Sequence, residues 1–331
     1  MSRIPENSGG GRAVDQVIAA IGDELRRTTL ILNSHHVDLI AIAELLFSRK
    51  KVVHRLAGPL TIVRPGIIGA LEDEIIRVLN EFAAATVFQS QLSFELNTSI
   101  LGLSSHKAQV IHNLPCVEEL DLNKKRGSRK TYLVVNNHNI LKGFHHCRRI
   151  CKEQGSYIDG ILVKNTNSLE AIRSVANGVP VIHCATSQEY YDQIYGVEQV
   201  ILTTMYEAGS NTLIESACLA KKVFVMPESG LLDFSAEYLQ EYTKLFDISD
   251  FSYEEGVKAQ TGFSSEDAII ALISRRTNAL RTLKARNSLA WRTLLHSARN
   301  KSGPTLVRRI LLATRLFLWK FILILCKFLR R

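Results

Sequence analysis

Two glutamates eight positions apart, Glu207 and Glu215, bracket the stretch Glu207-Ala-Gly-Ser-Asn-Thr-Leu-Ile-Glu215 where a strand passes through a loop into a helix. Each part has a separable job. Gly209 permits a tight turn, while Ser210, Asn211 and Thr212 are residues that open helices, so that backbone N–H groups point at an anion such as a phosphate. A carboxylate accepts two hydroxyl hydrogen bonds at once, which suits the vicinal diols of a ribose or a hexose. Glu207 in the loop and Glu215 on the second helical turn can thus face one extended ligand. A solvent-facing glutamate ahead of a capped core helix is the plainer reading of the same spacing.

Other residue groups divide in the same way. The run Ser8-Gly9-Gly10-Gly11-Arg12 lies before a helical stretch, where Gly10 and Gly11 can cradle a phosphate or sugar with their backbone N–H groups or belong to a flexible tail. His54 closes a β-branched run and can polarise an acceptor hydroxyl or sit satisfied in the fold, and the pair His35-His36 reads more plainly as structural. The series His145-His146-Cys147 with Cys151 invites zinc, but on a helix Cys147 and Cys151 share a face with Phe144, the pattern of a helix packing on a sheet.

These residues need elements to hold them. Short β-branched runs near Thr29–Leu32, Lys51–His54, Thr86–Gln89 and Gln109–His112 alternate with helical stretches starting near Ala13, Val37, Ile67 and Leu92. A polar, basic break at 120–130 follows. The alternation then restarts, with strands near 132–135, 160–163, 180–182, 199–202 and 223–226, helices near 143–154, 168–177, 188–195 and 211–219, and further helices at 235–244 and 265–298. Alternation of this kind predicts an α/β chain of two doubly wound, Rossmann-like domains facing a cleft, the first over 1–122 and the second over 123–300.

Five ordered stretches carry a resemblance. Glu207 to Glu215 resembles the E-x7-E motif of retaining glycosyltransferases of the GT-B fold, the large family 4 or group 1 class. His54-Arg55-Leu56-Ala57-Gly58-Pro59 is similar to that class's H-R-[IL]-D-G-P. The run Ala84-Ala85-Thr86-Val87-Phe88-Gln89-Ser90 resembles A-D-A-T-V-F-Q-S, Val110-Ile111-His112-Asn113 resembles V-I-x-N, and Leu141-Lys142-Gly143 resembles the K-G that opens the donor domain. The resemblance implies a nucleotide-diphosphate sugar held mainly by the second domain, with Glu215 on the ribose hydroxyls, Glu207 on the sugar hydroxyls and Lys142, followed by Gly143, facing the diphosphate. His54 would lie on the acceptor side. One ammonium and helix N-termini can stabilise a departing diphosphate, and with no D-x-D in the chain the pattern implies neither a metal site nor a cofactor besides the donor substrate. The chain departs from the pattern at Ala57, where relatives carry Asp, at Asn136-Asn137-His138-Asn139, where many carry a second cation, at Ala220-Lys221-Lys222, and at the Gly-rich run, which no strand precedes.

Charge is distributed unevenly. The chain has 331 residues, 46% hydrophobic, and carries a formal net charge of +9. Beyond Asp267 there are fifteen Lys/Arg and no acidic residue, so the remainder is mildly acidic, with 26 basic against 32 acidic residues. That confinement argues against a nucleic-acid surface. Residues 304–331 plot on a helical wheel with their basic residues within about 160° and Leu, Ile, Phe and Trp319 on the rest, a basic amphipathic helix suited to an anionic membrane surface, with a spanning helix or one packed on its own protein as the alternatives. No apolar run reaches the ~18 residues of a spanning helix. The six cysteines lack a C-x-x-C pair, and residues 1–12 lack the apolar stretch of a signal peptide, which together predict a reducing, cytoplasmic location, peripheral on the inner face of a membrane.

The expectation is therefore a membrane-associated retaining glycosyltransferase of hexosyl type, moving sugar from a nucleotide-diphosphate sugar to a saccharide acceptor, lipid-linked or part of a surface polysaccharide. A nucleotide-sugar-binding or scaffold protein of the same fold, impaired in catalysis, is the alternative that Ala57 and the missing cation keep open.

Overall fold

The computed structural model describes residues 27–112, 128–135, 137–164, 166–204, 210–225 and 266–329. Glu207, Gly209, Gly10, Gly11 and the expected helices at Ala13 and 235–244 lie outside them. The chain divides into two compact units, residues 1–113 with 284–331, and residues 114–283.

In the first unit, β1 (Thr29–Asn33), α1 (Leu39–Phe47), β2 (Lys51–Leu56), α2 (Leu60–Val63), α3 (Ile67–Phe82), β3 (Ala83–Phe88), α4 (Gln91–Leu101) and β4 (Ala108–Val110) follow one another. The four strands are parallel and lie in sequential order. Local chemistry sets the helix starts: Asp38 accepts from Ala41 N at 2.7 Å and Ser90 from Ser93 N at 3.0 Å. Crossovers between parallel strands are right-handed, so a sheet built in one direction places its connecting helices on one face. That face is packed by Leu30, Leu32, Ala41, Leu45, Ile75 and Leu79. A parallel sheet must be covered on both faces.

The second unit supplies β5 (Ser128–Val134), α5 (Phe144–Gln154), β6 (Gly160–Val163), α6 (Leu169–Arg173), β7 (Val181–His183), α7 (Ser187–Ile194), β8 (Val197–Leu202), α8 (Asn211–Leu219) and β9 (Lys222–Val225). Its parallel strands run β7-β6-β5-β8-β9, so the order reverses between β5 and β8. The carboxyl ends of the two strands at such a reversal are where doubly wound sheets take ligands.

The 34-residue helix α9 (Glu266–Arg299) serves both units in turn. Its first half packs Ile273, Leu280 and Leu283 into the second core, and Arg276 donates to Ala220 O at 2.5 Å. Its second half brings Trp291, Leu294, Leu295 and Ala298 against Val53, Ala85, Val87 and Ile111, covering the first sheet's other face. The closing helices thus do not all belong to the second unit, where the sequence boundaries had them: the chain returns to the first unit at Lys284 because that sheet has a face to bury.

The last helix, α10 (Leu306–Phe328), is likewise part of the first unit. Leu312, Ala313, Leu316 and Leu323 are buried against α1 and α3. The basic sector turns inward: Arg308 and Arg315 donate to Glu81 at 3.3 and 3.1 Å, Lys327 reaches Glu72 at 2.8 Å, and Arg309 donates to Ser48 O at 2.6 Å. Among the described residues no helix is long and apolar enough to cross a membrane.

Candidate functional site

Beyond β5 the chain turns at Asn137 and Asn139, whose side-chain oxygens accept from Asn139 N and Leu141 N at 3.1 and 2.9 Å. A short 3-10 turn, Ile140–Lys142, leads into Gly143 and α5. Gly143 has φ +76, and a Cβ there would stand 1.6 Å from the Thr203 carbonyl oxygen. Only glycine fits, because the loop after β5 presses against the end of β8. Thr203 Oγ1 donates to Lys142 O at 3.3 Å, clasping the two loops at the strand reversal. His138 is held by the Ser168 hydroxyl, 3.0 Å from its Nδ1.

Across the same edge, Ser210 caps α8, accepting from Leu213 N at 3.2 Å. Thr212 lies on the first turn and is buried, its carbonyl taking the Ser216 hydroxyl at 2.7 Å. The Asn211 side-chain oxygen is shielded from solvent and has no hydrogen-bond partner among the described residues, an acceptor left for a donor group to reach. The N-termini of α5 and α8 therefore both lie at the carboxyl ends of adjacent strands, with their positive dipole ends where an anion can be held.

Glu215 is in a different condition from the open diol acceptor the sequence implied. It is 1% exposed, its Oε2 takes Lys164 Nζ at 2.5 Å and its Oε1 takes the Tyr191 hydroxyl at 3.0 Å. Lys164 follows β6 and lies 3.8 Å over the Tyr190 ring, whose hydroxyl is bonded to Ser216 at 2.7 Å. Burial, with the Glu215 charge nearby, pushes the Tyr190 hydroxyl well above its usual pKa, so it stays protonated. Each Glu215 oxygen keeps a second lone pair beside the bond it already accepts. Sequence reasoning missed Lys164, Tyr190 and Tyr191; the available signal was a lysine directly after a strand that borders β5.

His54 stands in the first unit, in the middle of its sheet. Its ring is 0% exposed, its Nε2 lies 2.8 Å from Ser34 O, and Asn80 Nδ2 approaches its Nδ1 at 3.5 Å. Burial lowers its pKa to about 4, so it is neutral, donating to Ser34 O from Nε2. It is thus buried within the sheet with both ring nitrogens engaged. Asp73 holds the start of α2 after Pro59, accepting from Leu60 N at 2.6 Å and Thr61 Oγ1 at 2.6 Å. Cys147 and Cys151 are packed in the second core, and among the described residues no three His, Cys, Asp or Glu side chains gather as metal ligands.

No protein-family model matches the sequence, and no curated protein does. Solved structures do resemble the fold. The α,α-trehalose 6-phosphate synthase of Burkholderia multivorans aligns over 90% of this chain and 77% of its own, at 11% identity and a TM-score of 0.52. Anabaena HepE in complex with UDP-glucose aligns over 78% and 74%, at 12% identity and 0.51. A trehalose-6-phosphate synthase studied with bisubstrate glycomimetics for glycosyl transfer with retention aligns over 89% and 79%, at 10% identity and 0.50. At these identities the likeness is one of fold: a mixed α/β chain with parallel sheets, matching GT-B glycosyltransferases and ending in the helix α10.

Proposed function

We propose that the chain transfers a hexosyl group from a nucleotide-diphosphate sugar to a saccharide acceptor, with retention of configuration. The observation that carries the reading is the clasp at the strand reversal, where Thr203 after β8 presses on the glycine-only position Gly143 and donates to Lys142 O, while Ser210 caps the start of α8. Lys142 and the two helix ends would take up the charge that gathers on the leaving phosphate, while Glu215, oriented by Lys164 and Tyr191, would accept the ribose hydroxyls. Glu207 would hold the sugar hydroxyls. In a front-face substitution the bond from the anomeric carbon to phosphate oxygen breaks, the acceptor oxygen bonds to that carbon on the same face, and the acceptor's proton passes to the leaving phosphate. Trehalose-6-phosphate synthase and UDP-glucose-bound HepE support nucleotide-sugar chemistry on this fold, and the E-x7-E resemblance supports retention.

An acceptor that is lipid-linked, at the inner face of a membrane, fits the basic apolar helix α10. The second reading, a nucleotide-sugar binder without turnover, is favoured by Ala57 and by His138 at the second-cation position. Offering the purified chain a panel of nucleotide sugars with lipid-linked and soluble saccharide acceptors separates the two: release of nucleoside diphosphate supports transfer, and tight donor binding without release supports the binder. Glu215→Gln should weaken donor binding at least tenfold, and unchanged affinity would remove Glu215 from the site.

A further inference from the structure

Helix α10 is amphipathic in an unexpected sense. At 100° per residue, its buried side chains and its cations share one side, and the remaining sector of about 140° carries only apolar residues and Thr314. Ten large apolar side chains on that helix are 47–75% exposed, Val307, Ile310, Leu311, Phe317, Phe321 and Phe328 among them. Together they leave on the order of 1,000 Å2 of apolar surface in water, beyond the roughly 300–600 Å2 of the largest patch on a typical soluble monomer. Helix α1, packed alongside, leaves Leu39, Ile40 and Phe47 at 68–82% exposure.

The chemistry of the face selects its occupant. Protein interfaces carry about one hydrogen bond per 100–200 Å2. This face offers no free donor and only the acceptor lone pairs of its one polar side chain, Thr314, whose hydroxyl already donates to Ile310 O at 3.0 Å. Its two edges are cationic, Arg308 and Arg315 along one, Arg309, Lys320 and Lys327 along the other. The carboxylates bonded there are Glu81 and the buried Glu72, so the rim is net positive. An apolar strip between two rows of cations matches hydrocarbon between phosphates.

We propose that the outward face of α10 docks the first unit onto a phospholipid bilayer, the apolar strip lying in the acyl boundary and the rim cations at headgroup phosphates. Because the helix is packed into the unit's core, the first unit docks as a body in one orientation instead of hanging from a tether. This deepens the reading of a membrane-borne acceptor, yet its test does not depend on catalysis.

Flotation of the full chain with vesicles of phosphatidylcholine, alone or with roughly a third phosphatidylglycerol, should show binding to both, tighter to the anionic mixture. High salt should reduce the anionic binding only to the level of phosphatidylcholine. Phe317→Asp with Phe321→Asp should weaken partition at least tenfold while the tryptophan emission and the donor affinity stay as in the parent chain. Absence of parent binding, or undiminished binding by the double variant, overturns the proposal. Concentration-dependent dimerisation that the same variant abolishes, without vesicle binding, assigns the face to a second copy of the chain and overturns it too.

Discussion

Leu316 and Phe317 are neighbours in sequence and opposites in the fold, and substituting each by alanine tests whether α10 belongs to the core. Leu316 is 0% exposed and Phe317 57% exposed. Leu316→Ala removes three carbons from a site lined by α1 and α3, costing about 2 kcal/mol at ~0.8 kcal/mol per methylene. The unfilled space raises this to about 3 kcal/mol. Phe317→Ala should stay within about 0.5 kcal/mol. Both tryptophans, Trp291 and Trp319, lie in the first unit, so their fluorescence reports the unfolding of that unit alone. With a urea slope of about 2 kcal/mol per molar, Leu316→Ala should lower the midpoint by about 1.5 M and Phe317→Ala by less than about 0.3 M. Equal, small shifts for the two would show a helix detached from the core and refute the packing on which the docking face depends.

Two further predictions use the same reporter. Gly143→Ala forces a Cβ into the Thr203 carbonyl at a left-handed backbone position, and should cost the second unit more than about 3 kcal/mol. Hydrogen exchange should accelerate in β5 and β8 while the tryptophan transition stays put; retained protection of both strands would count against the clasp. His54 is neutral in the fold with a pKa of about 4, against 6.5 when unfolded, so the unfolded state takes up the proton first as pH falls. Stability of the first unit should be full above pH 6.5 and decline toward pH 4 by about 3 kcal/mol from this residue. His35, lowered to about 3 chiefly by burial, acts in the same direction. His54→Gln, which keeps a donor for Ser34 O, should flatten its share of that slope in urea midpoints measured across the range, and an unaltered slope would mean that the proton goes elsewhere.

Much of the architecture was legible because it is local. The strands β5, β6 and β8 follow β-branched runs, and Gly143 was marked by the K-G resemblance, although the Thr203 carbonyl that makes it a glycine-only position shows only in the fold. What escaped was set by partners far along the chain. A helical wheel gives the angle of each α10 residue but not which sector is buried. Leu312, Leu316 and Leu323 share a sector with the cations, and it is Glu72 and Glu81 on α3 that draw that sector inward. The domain boundary was hidden inside α9, whose helical periodicity is uninterrupted while its packing partner changes. Lys164 escaped for a related reason: its importance comes from Glu215, fifty-one positions later, and from the sheet order that brings β6 beside β5.

The return of the chain to its first unit also sets a timetable for synthesis. Translation adds roughly 5–20 residues per second, so between Asn113 and Lys284 the ribosome works for roughly ten to thirty seconds. Through that interval the four-stranded sheet lacks Trp291 and Leu295 on one face and Leu316 on the helical layer over the other. The second unit, contiguous in sequence until α9, can complete its core earlier. The nascent amino-terminal third must be shielded by chaperones or wait as an open intermediate, so the part made first is the part finished last.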